Sequence, residues 1–167
     1  MFKQVIFPIL AVVVFIIVVG ILVQKSSSFG VNGLNIAGPT TAPTKTVSIG
    51  LIKIQVQIAD TTDKRTKGLS GTSSLKANEG MLFIFEGETN PVFWMKDMLI
   101  PLDIIWIGDG KIVRIDKNVP IPAPNTTENK LKTYSAGAPI DYVLEVNAGF
   151  SDQNKIKVGD SLDLSSI

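Results

Sequence analysis

The 167-residue sequence contains no cysteine and no histidine. Without cysteine the chain has no disulfide, no thiolate metal ligand and no thiol nucleophile. Without histidine it has no Ser/His/Asp triad and no imidazole to bind a metal. The sequence therefore predicts no cofactor and no metal site. It leaves aspartate, glutamate, lysine and the aromatic side chains as the groups that can act on a ligand.

An excess of charge is absent as well. The chain has 16 Lys and Arg residues against 15 Asp and Glu residues, which gives a formal net charge of +1. A protein that binds nucleic acid needs a strongly basic surface to neutralise phosphates. We therefore expect no nucleic-acid partner.

The first 23 residues are the one long hydrophobic stretch. Between Val5 and Val23, 17 of 19 residues are apolar and none is charged. As a helix this segment is about 28 Å long, close to the thickness of the hydrocarbon core of a bilayer. Residues 1–23 are therefore predicted to be a single membrane anchor or an uncleaved signal, and Lys3 with the free amine favours a cytoplasmic N-terminus. The alternative is a cleaved secretory signal, although no A-x-A-like site follows.

Residues 24–45 are rich in Ser, Gly, Thr, Pro and Asn and contain no acidic residue. Such a segment buries too little apolar surface to offset the entropy of ordering it, so it is predicted to be a flexible linker. Residues 46–167 then form one soluble domain of ordinary size. This organisation predicts a single-pass protein of the cell membrane whose C-terminal domain lies outside the cytoplasm.

The apolar residues of this domain recur mostly with a period of two, which is typical of strands with one buried face. A Gly-Asp-Gly turn at 108–110 predicts a hairpin. Asp60 or Thr61 caps a short helix that Gly68 ends, and a second short helix is predicted over 148–153. The predicted class is mainly β, a compact jelly-roll-like sandwich with one or two short helices. Strands are predicted near 52–58, 81–85, 92–96, 102–107, 112–116, 142–146 and 161–164.

Several motifs of the domain resemble, in order, the bacterial and archaeal family called domain of unknown function 192. The resemblance covers roughly residues 47–164, implies a compact β fold of jelly-roll type and implies no established activity. The chain departs from the family pattern at Ser70, where methionine is common, and at Met98, where a small polar residue is usual. The motifs are GLSGTSSL from Gly68, EGMLFIF from Glu79, FWMK from Phe93, IPLDIIWI from Ile100, VLEV from Val143 and IKVGD from Ile156.

Asp103 and Glu145 are the candidate catalytic residues, because each carboxylate stands among apolar neighbours where it is costly to bury. If they face each other about 5 to 9 Å apart, they form an acid/base pair suited to a glycosidic bond. The alternative is structural, with Asp103 accepting backbone N–H groups and Glu145 pairing with a lysine. Lys96 and Arg114 are candidate partners.

Trp94 and Tyr134 are candidates for a stacking platform, because aromatic faces bind the apolar face of a sugar or a cation. The predicted ligand-binding set is Trp94, Lys96, Asp103, Tyr134 and Glu145. We expect a membrane-tethered module that binds a cell-envelope saccharide or a protein partner. The alternatives are a carboxylate-dependent hydrolase or lyase acting on envelope carbohydrate, and a purely structural envelope component.

Overall fold

Nine strands and two short helices make up residues 44–167, the part of the chain that the computed structural model describes. The helices are α1 (Thr62–Lys67) and α2 (Phe150–Gln153), and a 3-10 turn covers Glu128–Lys130. The predicted mainly β class with one or two short helices is confirmed. The strands are β1 (Thr44–Ile49), β2 (Ile52–Ala59), β3 (Glu79–Thr89), β4 (Phe93–Trp94), β5 (Leu102–Gly108), β6 (Lys111–Val119), β7 (Thr133–Tyr134), β8 (Ile140–Asn147) and β9 (Leu162–Asp163).

Seven strands form one sheet in the order β6-β5-β8-β3-β2-β1-β9, and β4 pairs with β7 in a separate ribbon. The sheet curls so that its two edges meet at one end. There, the Ile112 N–H donates to the Asp160 carbonyl at 2.9 Å, and the Leu162 N–H donates to the Gly110 carbonyl at 3.0 Å. These bonds satisfy backbone groups that an open sheet edge would leave exposed.

The sheet is antiparallel except between β2 and β3, which are parallel. A parallel pair needs a crossover connection, and α1 lies in the segment that joins these two strands. The predicted jelly-roll-like sandwich of two packed sheets is therefore not observed. The crossover keeps seven strands in one curled sheet, and the ribbon is too short to be a second layer of equal size.

Each face of the curled sheet carries a buried cluster, because strand alternation sends side chains to each face in turn. Inside the curl lies a cluster that joins residues from the first and last strands, Ile112 and Leu162 among them. On the outer face a second cluster includes Phe83, Trp106 and Val143, and the β4–β7 ribbon covers it. Strand β5 is buried on both faces, as its apolar run, interrupted by Asp103, predicts.

The predicted anchor over residues 1–23 and nearly all of the predicted linker lie outside the described residues. Residues 44 and 45, which were assigned to the linker, belong to β1. From residue 44 onward no helix is both long and apolar enough to span a membrane. The membrane anchor therefore stays a prediction.

Gly80 lies at a close approach between β3 and β8. A Cβ atom at this position would collide with the backbone oxygen of Glu145 on β8. We expect Gly80→Ala to lower the free energy of unfolding by roughly 1 to 3 kcal/mol, because backbone must shift to admit the methyl group. Urea unfolding followed by tryptophan fluorescence measures the change. Lys53→Ala at an exposed position of β2 is the control, and an unchanged midpoint for Gly80→Ala would contradict the close contact.

Candidate functional site

Glu145 lies at the floor of a cleft of about 290 Å³ on the outer face of the sheet. On β8 it is paired with Met81 of β3 and Ile104 of β5, so its side chain points to the same face as theirs. Its side chain is 5% exposed. The cleft lies between α1 and β4, and its lining includes Arg65, Lys67, Phe85, Trp94 and Met98.

The Glu145 carboxyl has no ion-pair or hydrogen-bond partner in the described part of the chain. The expected lysine partner for Glu145 is therefore not found there. Burial disfavours the charged form and raises the pKa of this carboxyl from 4.5 to about 8. At neutral pH Glu145 is mostly a neutral acid, which both donates and accepts hydrogen bonds.

Helix α1 forms one wall of the cleft, and its ends are set by local chemistry. The Lys64 N–H donates to the Thr61 hydroxyl at 3.3 Å, and Gly68 ends the helix with φ of 49°. Both ends were predicted from the sequence. The Arg65 side chain then reaches across to β3, where its Nη1 donates to the Ile84 carbonyl at 2.8 Å and its guanidinium lies 5.4 Å from the centre of the Phe85 ring.

The opposite wall is β4, whose two aromatic side chains point in opposite directions. Phe93 packs edge-on against Phe83 at 4.9 Å and against Trp106 at 5.3 Å between ring centres. This contact anchors the strand to the outer core. Trp94 is the next residue, so it faces away from that core and is 45% exposed at the cleft.

The two walls are tied together by the loop after α1. The Ser70 hydroxyl donates to the Lys96 carbonyl at 2.9 Å, and the Gly71 N–H donates to the Asp97 carbonyl at 2.9 Å. Ser70 and Met98, the two departures from the family pattern, both line the cleft. The sequence differences therefore fall where they alter the cleft surface.

Asp103 lies elsewhere, on the inner face of β5. Because Ile104 faces the same side as Glu145, the adjacent Asp103 faces the other side of the sheet. It is fully buried and accepts backbone N–H bonds from Asn118 at 2.8 Å, Gly149 at 3.1 Å and Ser151 at 2.8 Å. The structural alternative for Asp103 is thus the one observed, and the pairing of Asp103 with Glu145 across one cleft was wrong.

Tyr134 and Lys96 stand apart from the cleft floor. Tyr134 is paired with Phe93, so it lies on the opposite side of the ribbon from Trp94, and the two do not form one platform. Lys96 forms an ion pair with Glu128 at 2.6 Å, and this hydrogen bond raises the pKa of Lys96. Its ammonium is 5.9 Å from the centre of the Trp94 ring. Of the five predicted residues, Trp94 and Glu145 line the cleft and Lys96 flanks it.

The sequence reasoning missed Arg65, Phe85 and Met98 as lining residues. The sequence pattern indicates for Arg65 only a cation suited to a helix C-terminus, and the crossover from β2 to β3 places it in the same cleft lining as Glu145. Nothing in the local pattern could reveal this, because the helix and β8 are about 80 residues apart in sequence. Among residues 44–167 no three acidic side chains stand close enough to hold a metal ion.

One buried acid, two cations and several aromatic side chains thus line a single cleft on the outer face of the curled sheet. Residues 44–164 match the family DUF192, described as Uncharacterized ACR. The chain belongs to this family, as the motifs indicated.

The crystal structures similar to this chain include the following two. One is a candidate transcription regulator from Sinorhizobium meliloti, 27% identical with a TM-score of 0.65, covering 75% of this chain and 97% of the other. The second is a protein of unknown function from Novosphingobium aromaticivorans, 28% identical with a TM-score of 0.64, covering 75% and 89% respectively. No curated protein matches the chain.

Proposed function

We propose that this chain is a membrane-tethered module that binds a saccharide of the cell envelope in the cleft between α1 and β4. The observation that carries the proposal is the half-exposed Trp94 at the edge of a cleft whose floor is the unpartnered Glu145 carboxyl. The predicted anchor and linker support a location at the cell membrane, with the domain on the side away from the cytoplasm.

A sugar ring has apolar C–H faces and a polar edge, and the cleft offers a partner for each. Trp94 offers an aromatic face to the ring, while Phe85 and Met98 add apolar lining. The Glu145 carboxyl is placed to bond a polar group of the ligand that reaches the floor. At about 290 Å³ the cleft is at the small end of ligand sites, which suits one sugar unit.

A protein partner is the second candidate, favoured by Val92. This side chain is 65% exposed and lies in the lining of the same cleft as Trp94. Exposed apolar side chains beside a cleft are typical of protein contact sites. In that case an apolar side chain of the partner fills the cleft in place of a sugar.

The remaining alternatives have less support. A hydrolase or lyase with a carboxylate pair lacks its second carboxylate, because Glu145 is the one acidic residue in the cleft lining of the described chain. A purely structural component would have no use for a buried acid facing an open cleft. The regulator name of the Sinorhizobium protein does not carry over to nucleic-acid binding, because basic and acidic residues are nearly balanced here.

Removing the Trp94 ring is expected to weaken saccharide binding about tenfold, because the stacking contact is lost, and to change folding stability little. The test uses the full chain in a zwitterionic detergent, since alkyl-glycoside detergents would compete for the cleft. Binding of a panel of methyl glycosides to Trp94→Ala is measured by calorimetry and by thermal shift.

Leu99→Ala is the matched control, since Leu99 is also an exposed apolar residue and does not line the cleft. It should bind as the unmodified chain does. Equal loss of binding in both variants, or saccharide binding that survives Trp94→Ala, would count against the cleft as the binding site.

A further inference from the structure

Two cations and one buried acid line the cleft without pairing. Arg65 and Lys67 come from α1, and Glu145 forms the floor. Neither cation has a carboxylate within ion-pair distance in the part of the chain that the structure describes. Residues 1–43 contain no Asp or Glu that could supply one. The cleft therefore has two positive groups without an ion-pair partner, although the charge of Arg65 helps to lower the pKa of Asp60 just outside the lining.

The position of the Arg65 guanidinium is set by contacts that leave much of it free. Its Nη1 donates to the carbonyls of Asp60 at 2.9 Å and Ile84 at 2.8 Å, and the Phe85 ring lies beside it. A guanidinium carries five N–H groups. Three of them have no acceptor among residues 44–167, so Arg65 is held in place with donors to offer.

Glu145 also has a donor without an acceptor. Its carboxyl is mostly protonated at neutral pH because burial raises its pKa to about 8. The residues paired with it, Met81 and Ile104, are apolar. A neutral carboxyl that faces a cleft offers its O–H to an acceptor, and it adds no negative charge to offset Arg65 and Lys67.

We propose that the cleft selects a sugar ring that carries a carboxylate, with this group lying between the Arg65 guanidinium and the Glu145 carboxyl and the ring lying against Trp94. The inference rests on the proposed saccharide-binding function and adds the charge of the ligand. A carboxylate accepts hydrogen bonds only, at two oxygens, so it matches the donors on both sides. Lys67 adds a second positive charge at the cleft.

The pH dependence of binding follows from the titratable groups of the cleft. Besides Glu145, those in the described lining are Arg65 and Lys67 of α1, while β3, β4 and β5 present apolar or aromatic side chains around Glu145. The ligand carboxylate is ionised throughout the range from about pH 6 to pH 9. Ionisation of Glu145 near the upper end of this range places a negative charge against the ligand, so binding weakens as the pH rises.

The first test compares ligands on the full chain in a zwitterionic detergent. Calorimetry at pH 6.5 measures binding of methyl glucuronoside, of methyl glucoside as its neutral match, and of acetate as the bare carboxylate. We expect methyl glucuronoside to bind at least about tenfold more tightly than either of the others.

Each other outcome overturns the inference in a distinct way. Equal binding of the acidic and the neutral glycoside overturns the choice of an acidic ligand and leaves the saccharide function standing. Binding of acetate as tightly as methyl glucuronoside overturns the role of the ring. If none of the three binds, and no other acidic or neutral glycoside does, both this inference and the proposed function fail.

The second test uses Glu145→Gln, which has nearly the shape of the neutral acid and cannot ionise. Binding of methyl glucuronoside to the unmodified chain should fall about tenfold between pH 6.5 and pH 9, and binding to Glu145→Gln should change little over this range. A loss of binding with pH that is the same in both proteins would overturn the role of Glu145.

The third test concerns the cations. Arg65→Gln and Lys67→Gln should each weaken binding of the acidic glycoside several-fold to tenfold and leave binding of the neutral glycoside unchanged. Lys53→Gln is the matched control, because Lys53 is exposed on β2 outside the cleft. Equal effects of the three substitutions would show general attraction to a basic surface and overturn the specific site.

Discussion

Asp103→Ala is expected to lower the free energy of unfolding by roughly 3 to 5 kcal/mol, because three backbone N–H groups lose their acceptor. These donors belong to Asn118, Gly149 and Ser151, and the Ser151 donor is fully buried. The aspartate joins the end of β6 and the start of α2 to β5. The loss is a large share of the stability of an ordinary domain, so this variant is expected to be partly unfolded at room temperature.

Asp103→Asn provides the graded test, because the asparagine keeps one acceptor oxygen. It can still accept the bonds that reach Oδ1, whereas its amide group meets the Ser151 N–H donor to donor. We expect a loss of roughly 1 to 3 kcal/mol, smaller than that of Asp103→Ala.

Urea unfolding of the full chain in detergent measures both variants. Both tryptophans of the chain, Trp94 and Trp106, lie in the described domain, so fluorescence reports on this domain alone. Asp109→Asn in the exposed hairpin turn is the control and should leave the midpoint unchanged. A midpoint for Asp103→Ala equal to that of Asp109→Asn would refute the bonding role.

Glu145→Gln is expected to do the opposite and to stabilise the protein at alkaline pH. The folded state holds a proton on Glu145 up to about pH 8, whereas an unfolded glutamate releases it near pH 4.5. Between these values folding takes up a proton, so the stability of the unmodified protein falls as the pH rises from about 4.5 to about 8. The full loss above pH 8 corresponds to roughly 5 kcal/mol.

The glutamine variant lacks this loss because its side chain stays neutral at every pH. Its urea midpoint should match that of the unmodified chain near pH 4.5 and should be clearly higher at pH 9. Comparing the two proteins at each pH cancels the effects of the other carboxyls, such as Asp60 and Glu79, whose pKa values are lowered by bonds to lysines. Glu86→Gln, at an exposed position of β3, should show no such difference. Parallel pH curves for Glu145→Gln and the unmodified chain would refute the buried neutral acid.

The two acids have the same signature in sequence and opposite roles in the fold. Each is a carboxylate within an apolar strand, which predicts burial at a cost. The face of the sheet on which the carboxyl lies decides which groups compensate for its desolvation. Asp103 turns inward to backbone N–H groups of β6 and of the start of α2, and Glu145 turns outward to a cleft whose described lining offers it no bond.

Much of the fold could be predicted from local pattern. Seven strands, the Gly-Asp-Gly hairpin and α1 with its Thr61 cap and Gly68 end depend on neighbours in sequence, and all lie near their predicted places. For residues 44–49 the sequence pattern predicts the end of the linker and the start of the domain, without a strand, whereas the structure has β1 there. Strand β7 has two residues, too few for a period of two to be visible.

Sequence by itself determined the groups available for binding and the places of seven strands along the chain, because composition and apolar period act through the chain locally. The absence of cysteine and histidine left carboxyl, cationic and aromatic groups, and groups of all three kinds are among those that line the cleft. Only the tertiary structure decided which of them meet. The parallel crossover places α1 at the wall of the cleft, and the alternation of side chains turns Glu145 toward this same cleft while it sends Asp103 to the other face of the sheet.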